Sequence, residues 1–567
     1  MLRPVALDPA YRSAAVDRMR STTHDILVIG GGVTGAGIAL DAATRGLSVV
    51  LVEQRDLSSG TSSRSSKLLH GGLRYLEQYD FGLVREALRE RDLHLTTLAP
   101  HLARPVSFLF PLTGAPWERA YIGAGIALYD ILGGSRNMPA HRHLTRTGAL
   151  RLVPALRADA LRGAIRYYDA QIDDARHTME IARTAASYGA AIATSARVTG
   201  FIREGERVVG AHVADLEGGE TLSVRAHQVI NATGVWTDDV QELVGRGRIR
   251  VRASKGIHLV VPRDRIIADS GLILRTASSV LFVIPWGRHW IIGTTDTDWE
   301  LDLAHPAASR SDIDYLLDQV NSVLRHPLTH DDVEGVYAGL RPLLSGESDA
   351  TSTLSREHAV ATTAPGLVTI AGGKYTTYRV MAEDAVDLAA RSLPGRVPDS
   401  VTDRTPLVGA VGYHALRNRR YELAERSGLH VVRIEHLLGR YGSLTEELLA
   451  MVAEDPTLGE PLLGADDHLQ VEIVYAASHE GALHLDDVLT RRTRISIETF
   501  DRGVAAAPHV ARLMAPVLGW DDERIAREVE HYEARVAAER ESQLQADDLT
   551  ADAARLGAPD VRVAAGT

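Results

Sequence analysis

Two short apolar, β-branched runs, Ile26–Ile29 and Ser48–Val52, flank a segment whose small and aliphatic residues follow helical spacing from Ala36 to Arg45. The runs predict buried parallel strands, and the segment between them a helix that Gly46 stops. Strand-like and helical stretches keep alternating to about residue 395. The stretch S-L-P-G-R-V-P-D-S at Ser392–Ser400 then reads as a linker. Beyond it helical periodicity dominates, as in R-I-E-H-L-L-G-R-Y (Arg433–Tyr441) and L-T-E-E-L-L-A-M-V (Leu444–Val452). No internal repeat is present.

The turn after the first strand places Gly30, Gly32 and Gly35 at G-x-G-x-x-G spacing, and Glu53 ends the second strand 18 residues beyond Gly35. The first glycine makes a tight turn, the second lets a pyrophosphate approach the backbone, and the third lets helix pack on strand. The helix N-terminus offers N–H groups to phosphates, and Glu53 can accept hydrogen bonds from a ribose diol. A bare glycine motif is an ordinary turn; with strand, helix, second strand and acid all in position, it predicts a dinucleotide site. The fingerprint does not separate FAD from NAD. Gly123-Ala124-Gly125 lacks both the preceding strand and the acid, so it reads as a packing or surface helix, leaving one nucleotide site.

The chain has 567 residues, enough for two to four domains at roughly 100–200 residues each. With 62 Lys and Arg against 74 Asp and Glu, its formal charge is −12, which disfavours general nucleic-acid binding. There is no cysteine, so disulfides, thiolate nucleophiles and Cys-bearing metal sites are excluded. That fits a cytoplasmic protein. Met1–Arg20 has no apolar core for a signal peptide, and no stretch reaches the roughly 18 apolar residues of a spanning helix. His479 and His484 in H-E-G-A-L-H stand five apart, about 140° around a helix, so they cannot share an ion as H-E-x-x-H does. No metal is expected.

The run S-S-G-T-S-S-R-S-S-K-L-L-H-G-G-L-R-Y-L-E at Ser58–Glu77 closely resembles the signature of FAD-dependent glycerol-3-phosphate dehydrogenases. Further resemblances follow in order: N-A-T-G-V-W (Asn231–Trp236), S-K-G-I-H-L-V-V (Ser254–Val261), G-T-T-D (Gly293–Asp296), G-L-R-P-L (Gly339–Leu343), S-R-E-H (Ser355–His358), G-G-K-Y-T-T-Y-R (Gly372–Arg379) and D-D-V-L-T-R-R-T-R (Asp486–Arg494). The resemblance runs from about residue 22 to about 540. Ile257 departs from the family's common Ser. An α/β fold is implied: a Rossmann-like FAD-binding domain interleaved with an antiparallel-sheet substrate domain over 23–395, and a helical domain over 396–545. Residues 1–22 form an extension with no assigned role, and 546–567, rich in Ala and Asp, read as a flexible tail.

The resemblance implies oxidation of sn-glycerol 3-phosphate to dihydroxyacetone phosphate, with hydride leaving C2 for flavin N5 and electrons passing to a quinone. Oxygen as acceptor in a soluble oxidase, or a flavin-binding module without turnover, are the alternatives. For FAD it implies Gly30, Gly32, Gly35, Glu53, Thr61, Ser62, Ser63, Lys67, Ala232, Gly234, Gly373 and Thr376. For substrate it implies Arg74, Tyr75, Lys255, Arg356 and Lys374, where Arg suits phosphate because its planar fork donates two charge-assisted hydrogen bonds. His258 is the first choice for the base that takes the hydroxyl proton, with Arg341 polarising the oxygen and His70 as rival base. Lys255 is expected to hold His258 neutral. Arg119–Gly134 could lie in a membrane interface, as a peripheral contact on the inner face of the cytoplasmic membrane, or pack in the core. A homo-oligomer is neither implied nor excluded.

Overall fold

Strand His24–Ile29 lies inside an eight-stranded sheet, paired in parallel with both Val49–Val52 and Thr221–Asn231. Burial on both faces explains why it reads as an unbroken apolar run. The computed structural model describes residues 3–562 except 78, 113, 115–116, 135–137, 160, 246–248, 277–279, 346–357 and 559. Helices Val33–Thr44, Asp174–Ser187 and Tyr378–Ala390 cover one face of the sheet. The other face carries the antiparallel strands Ala196–Glu204 and Arg207–Asp215. It also carries helix Pro9–Ser21, whose Ala15, Val16 and Met19 join Leu27, Ile29, Val50 and Val52. The N-terminal extension therefore closes the core of the nucleotide-binding sheet.

The second sheet has ten strands, organised around the long strand Val251–Pro262. That strand pairs antiparallel with Gly335–Leu344, His289–Gly293 and Thr297–Trp299. One pair, Gly271–Arg275 with Arg104–Leu112, is parallel. The chain builds the first sheet from 24–52, 191–231 and 358–372 and the second from the segments between, so the two units are interleaved.

From Tyr413 to Arg555 the chain is mainly helical, with apolar clusters around Leu437, Leu448 and Tyr475 and around Val488, Val510 and Met514. The expected flexible tail is corrected for its described residues. Helix Asp548–Arg555 docks on the second unit, where Asp548 meets Lys255 Nζ at 2.5 Å and accepts from the Ser309 hydroxyl at 3.0 Å. Arg562 is buried against Asp487 at 2.6 Å and Ser195 at 3.0 Å. Composition alone suggests a solvated end, but its charges find buried partners far away in sequence.

Candidate active site

The glycine turn shapes a cavity of about 360 Å³ lined by Gly30, Gly32, Glu53, Thr61, Ser62, Ala232, Gly234 and Gly373. Gly30 has φ +110°, and a Cβ there would sit 2.7 Å from the Ala232 carbonyl. A Cβ on Gly35 would lie 1.9 Å from the Gly30 oxygen, so this glycine sets the approach of helix to strand. Gly32 caps helix Val33–Thr44, and Val33 N–H donates to Ser62 Oγ at 2.9 Å. Glu53 accepts from the N–H groups of Gly31 at 2.7 Å and Arg55 at 2.8 Å. Burial pushes its carboxyl above the usual range, while those two N–H groups pull it down. The backbone cradle, helix N-terminus and fixed acid fit an FAD dinucleotide.

A larger cavity, about 750 Å³, shares Thr61, Gly373, Lys374 and Tyr375 with the first. Strand alternation builds its wall. Gly256 and His258 line it from one strand, and Gly339 and Arg341 line it from the next, where Gly339 is the register partner of Gly256 and Arg341 that of Ser254. Tyr337 stacks on His258 with ring centroids 4.6 Å apart, and Ser66 Oγ lies 2.8 Å from His258 Nε2. Burial, then Arg341 and Lys67, hold the imidazole well below its ordinary pKa, so it is neutral near pH 7. Arg341 donates to Thr294 Oγ1 and the Thr295 carbonyl, both at 3.1 Å, and to Asp296 at 3.3 Å. Lys374 sits 3.5 Å over the Tyr75 ring, a cation–π contact at the junction of the two cavities. His70 also lines the large cavity, its backbone tied to Thr376 Oγ1 at 3.2 Å.

Three expected site residues stand elsewhere. Lys255 projects from the opposite face of the strand carrying His258, fully buried, with Nζ 2.6 Å from Asp312 and 4.9 Å from the Trp299 ring. It is therefore not a substrate ligand, and Arg341 and Lys67, rather than Lys255, are the cations that keep His258 neutral. Lys67 does not line the FAD cavity; Asp174 and the Ser63 carbonyl hold its Nζ at 3.0 and 3.1 Å. Ser63 likewise turns away from that cavity, its carbonyl also accepting from Arg494 at 3.1 Å. Arg356 and the side chain of Arg74 lie outside the described residues.

Ser66, Thr294, Thr295 and Asp296, which line the larger cavity, and Tyr337, which stacks on His258, were not singled out from the sequence, although the G-T-T-D run contains three of them. His479 ends a helix and stacks on Tyr475, whereas His484 pairs with Glu217 and Glu528, so the two do not converge. Among the described residues, His436, His468 and Glu472 bring three potential ligand atoms within 4.8 Å. Against the effect of burial, Glu472 and Glu498 hold His468 up to about 9, and Arg440 lies 3.4 Å from Glu472. Imidazolium and guanidinium neutralise that carboxylate, which makes the group an ionic cluster.

Residues 25–379 match the family of FAD dependent oxidoreductases, and residues 400–525 match the C-terminal domain of alpha-glycerophosphate oxidase. The chain is 62% identical over 558 residues to glycerol-3-phosphate dehydrogenase 2 of Mycobacterium tuberculosis, covering 98% of this chain and 95% of that one. It is 37% identical to the mitochondrial glycerol-3-phosphate dehydrogenase of Bos taurus, over 93% of this chain and 75% of that one. The crystal structure of the glycerol-3-phosphate dehydrogenase from Bacillus halodurans complexed with FAD superposes with a TM-score of 0.77 at 30% identity, covering 94% of this chain and 98% of the other. With the cradle formed as an FAD site requires and these matches spanning both halves, the chain belongs to the FAD-dependent glycerol-3-phosphate dehydrogenase family.

Proposed function

We propose that the protein oxidises sn-glycerol 3-phosphate to dihydroxyacetone phosphate and passes the electrons to a quinone. The observation that carries this reading is the wall formed by His258 and Arg341 on neighbouring strands, in the same cavity as Lys374 where the two cavities meet. FAD, when bound in the smaller cavity, supplies the hydride acceptor. His258, whose Nε2 lies 2.8 Å from Ser66 Oγ, takes the hydroxyl proton and is ready to do so because it is neutral. Arg341 stabilises the oxygen as negative charge develops on it, with its guanidinium already oriented by Thr294, Thr295 and Asp296. Lys374, with Tyr75 beneath it and Arg74 and Arg356 as further ligands, binds the phosphate. His70 positions the loop through Thr376. Thr61, Ser62, Ala232, Gly234 and Gly373 line the cofactor's path.

The quinone reading is supported by an apolar rim. Tyr79, Phe81 and Tyr121 are exposed and line the mouth of the larger cavity, while Trp117 and Ile131 are exposed beside them on the segment Trp117–Gly133. Aromatic side chains of this kind suit a headgroup boundary. Among the described residues no helix is long and apolar enough to cross a membrane, so the contact proposed is peripheral.

Anaerobic mixing of the purified holoenzyme with sn-glycerol 3-phosphate tests the first half-reaction. Bleaching of the flavin band is expected; an unchanged band with FAD fully bound overturns the substrate assignment. Admitting a quinone analogue or oxygen to the reduced protein then compares acceptors, and faster reoxidation by oxygen would make it an oxidase. Flotation with liposomes tests the rim, and failure to recover protein in the lipid fraction would remove the membrane contact.

A further inference from the structure

A third and much smaller cavity lies beside Tyr337, where the helical domain and the C-terminal segment meet the substrate unit. Its volume is about 70 Å³, and five arginines line it: Arg64, Arg494, Arg502, Arg535 and Arg555. Two carboxylates, Asp486 and Glu539, share it with them. Arg494 is neutralised outside the cavity by Asp173 and Asp174. Asp486 is divided between Arg535 at 2.5 Å and Arg491 at 2.9 Å. Glu539 is divided between Arg502 at 3.1 Å and Arg555 at 3.8 Å. Arg64 makes no ion pair among the described residues; its guanidinium donates only to the Ala304 carbonyl, at 3.3 Å. The Nε of Arg502 is buried without a hydrogen-bond partner. The walls therefore hold a surplus of positive charge, buried at Arg502 and Arg555 and half-buried at Arg64 and Arg535, an arrangement that is costly unless a counter-charge completes it.

We infer that this cavity binds one tetrahedral oxyanion of the inorganic phosphate class, clamped by Arg64, Arg502, Arg535 and Arg555. Guanidinium forks match such an anion in geometry and charge. At roughly 10–15 Å³ per water the volume holds about five to seven waters, the scale of a single oxyanion. Titration agrees with the surplus. Burial, then Arg535, Arg555 and Arg491, push Arg64 down to about 9, and burial, then Arg535, push Arg555 down to about 10 against the opposing carboxylates of Glu539 and Asp486. Burial followed by Arg535, Arg555 and Arg64 holds His305, in the same wall, neutral. The four ligands come from the serine-rich loop, the helical domain and helix Asp548–Arg555, so the anion fastens the C-terminal segment to the substrate unit.

Thermal melting of the FAD-loaded protein in phosphate, against sodium chloride of equal ionic strength, gives the test. The expected result is a saturable rise in melting temperature with phosphate. Arg555→Gln loses that rise while retaining FAD. Lys374→Ala, which cripples the substrate cavity instead, keeps it. A full phosphate response in Arg555→Gln, or its loss in Lys374→Ala, overturns the site. Should Arg555→Gln fail to load FAD, crystals of the unaltered holoenzyme in selenate decide the matter. An anomalous peak among the four arginines supports the site, and its absence refutes it.

Discussion

Lys255→Met separates two roles that the strand's alternation assigns to opposite faces. The lysine is fully buried, with Nζ 2.6 Å from Asp312 and 2.5 Å from Asp548. Met keeps the length of the side chain and its packing on Trp299 but removes the charge. Asp312 would keep its hydrogen bonds from the Ser309 N–H at 3.1 Å and hydroxyl at 3.0 Å, yet lose its counter-ion. Breaking a buried pair in this way costs about 3–5 kcal/mol. The lower end applies because the Asp548 side chain is 32% exposed and recovers water. About 3 kcal/mol corresponds to roughly a hundredfold change in the opening equilibrium of this region. Urea unfolding of the FAD-loaded variant should show an earlier midpoint, while KM for sn-glycerol 3-phosphate stays within about twofold of the parent. An unchanged midpoint together with a tenfold or greater rise in KM would show that Lys255 works in the substrate cavity, and the placement argued from the strand would be wrong.

His258→Asn, with FAD content unchanged, should slow flavin reduction by about 10²–10⁴-fold, the range for loss of a general base; turnover within threefold of the parent would exclude His258. Because its pKa is held well below 6.5, it stays neutral as pH falls through that value, and protonation removes the base only at lower pH. The rate at saturating substrate should thus be level across pH 6.5, and an acid limb centred there would contradict the burial argument. Gly35→Ala forces a Cβ to within 1.9 Å of a backbone carbonyl and should abolish FAD retention, whereas Gly125→Ala, with nothing within 4 Å, should leave the flavin-to-protein ratio unaltered. Truncation after Gln545 removes Asp548, Arg555 and Arg562 from their partners and should lower the melting temperature by several degrees, at roughly 2–4 °C per kcal/mol for a 150–250-residue unit; an identical melting curve would restore the flexible tail.

Much of the nucleotide half is legible in the chain because its determinants are local. Gly30 at φ +110°, Gly32 before a helix and Glu53 at a strand end depend on neighbours within one strand–helix–strand unit, and residue type dictates those conformations. The interleaving of the two sheets follows from motifs that alternate along the sequence. Lys255 was within reach as well: three residues from His258 on one strand, it must face the other way, and period-two counting separates them without a structure.

Other features had no local signal. Lys67 and Ser63 sit in a run that resembles a cofactor loop, yet Asp174 and Arg494, 107 and 431 residues away from them, take their polar groups. The tail's Asp548 reaches Lys255 across 293 positions, and four arginines from separate segments close one cavity. Sequence by itself determined which backbone could cradle a dinucleotide and which chemical groups were available to act on a phosphorylated alcohol. Tertiary structure alone decided which of those charges face the cavities and which are neutralised inside the protein. The physical reason is that a buried charge must find a counter-charge, and chain folding brings it from any distance.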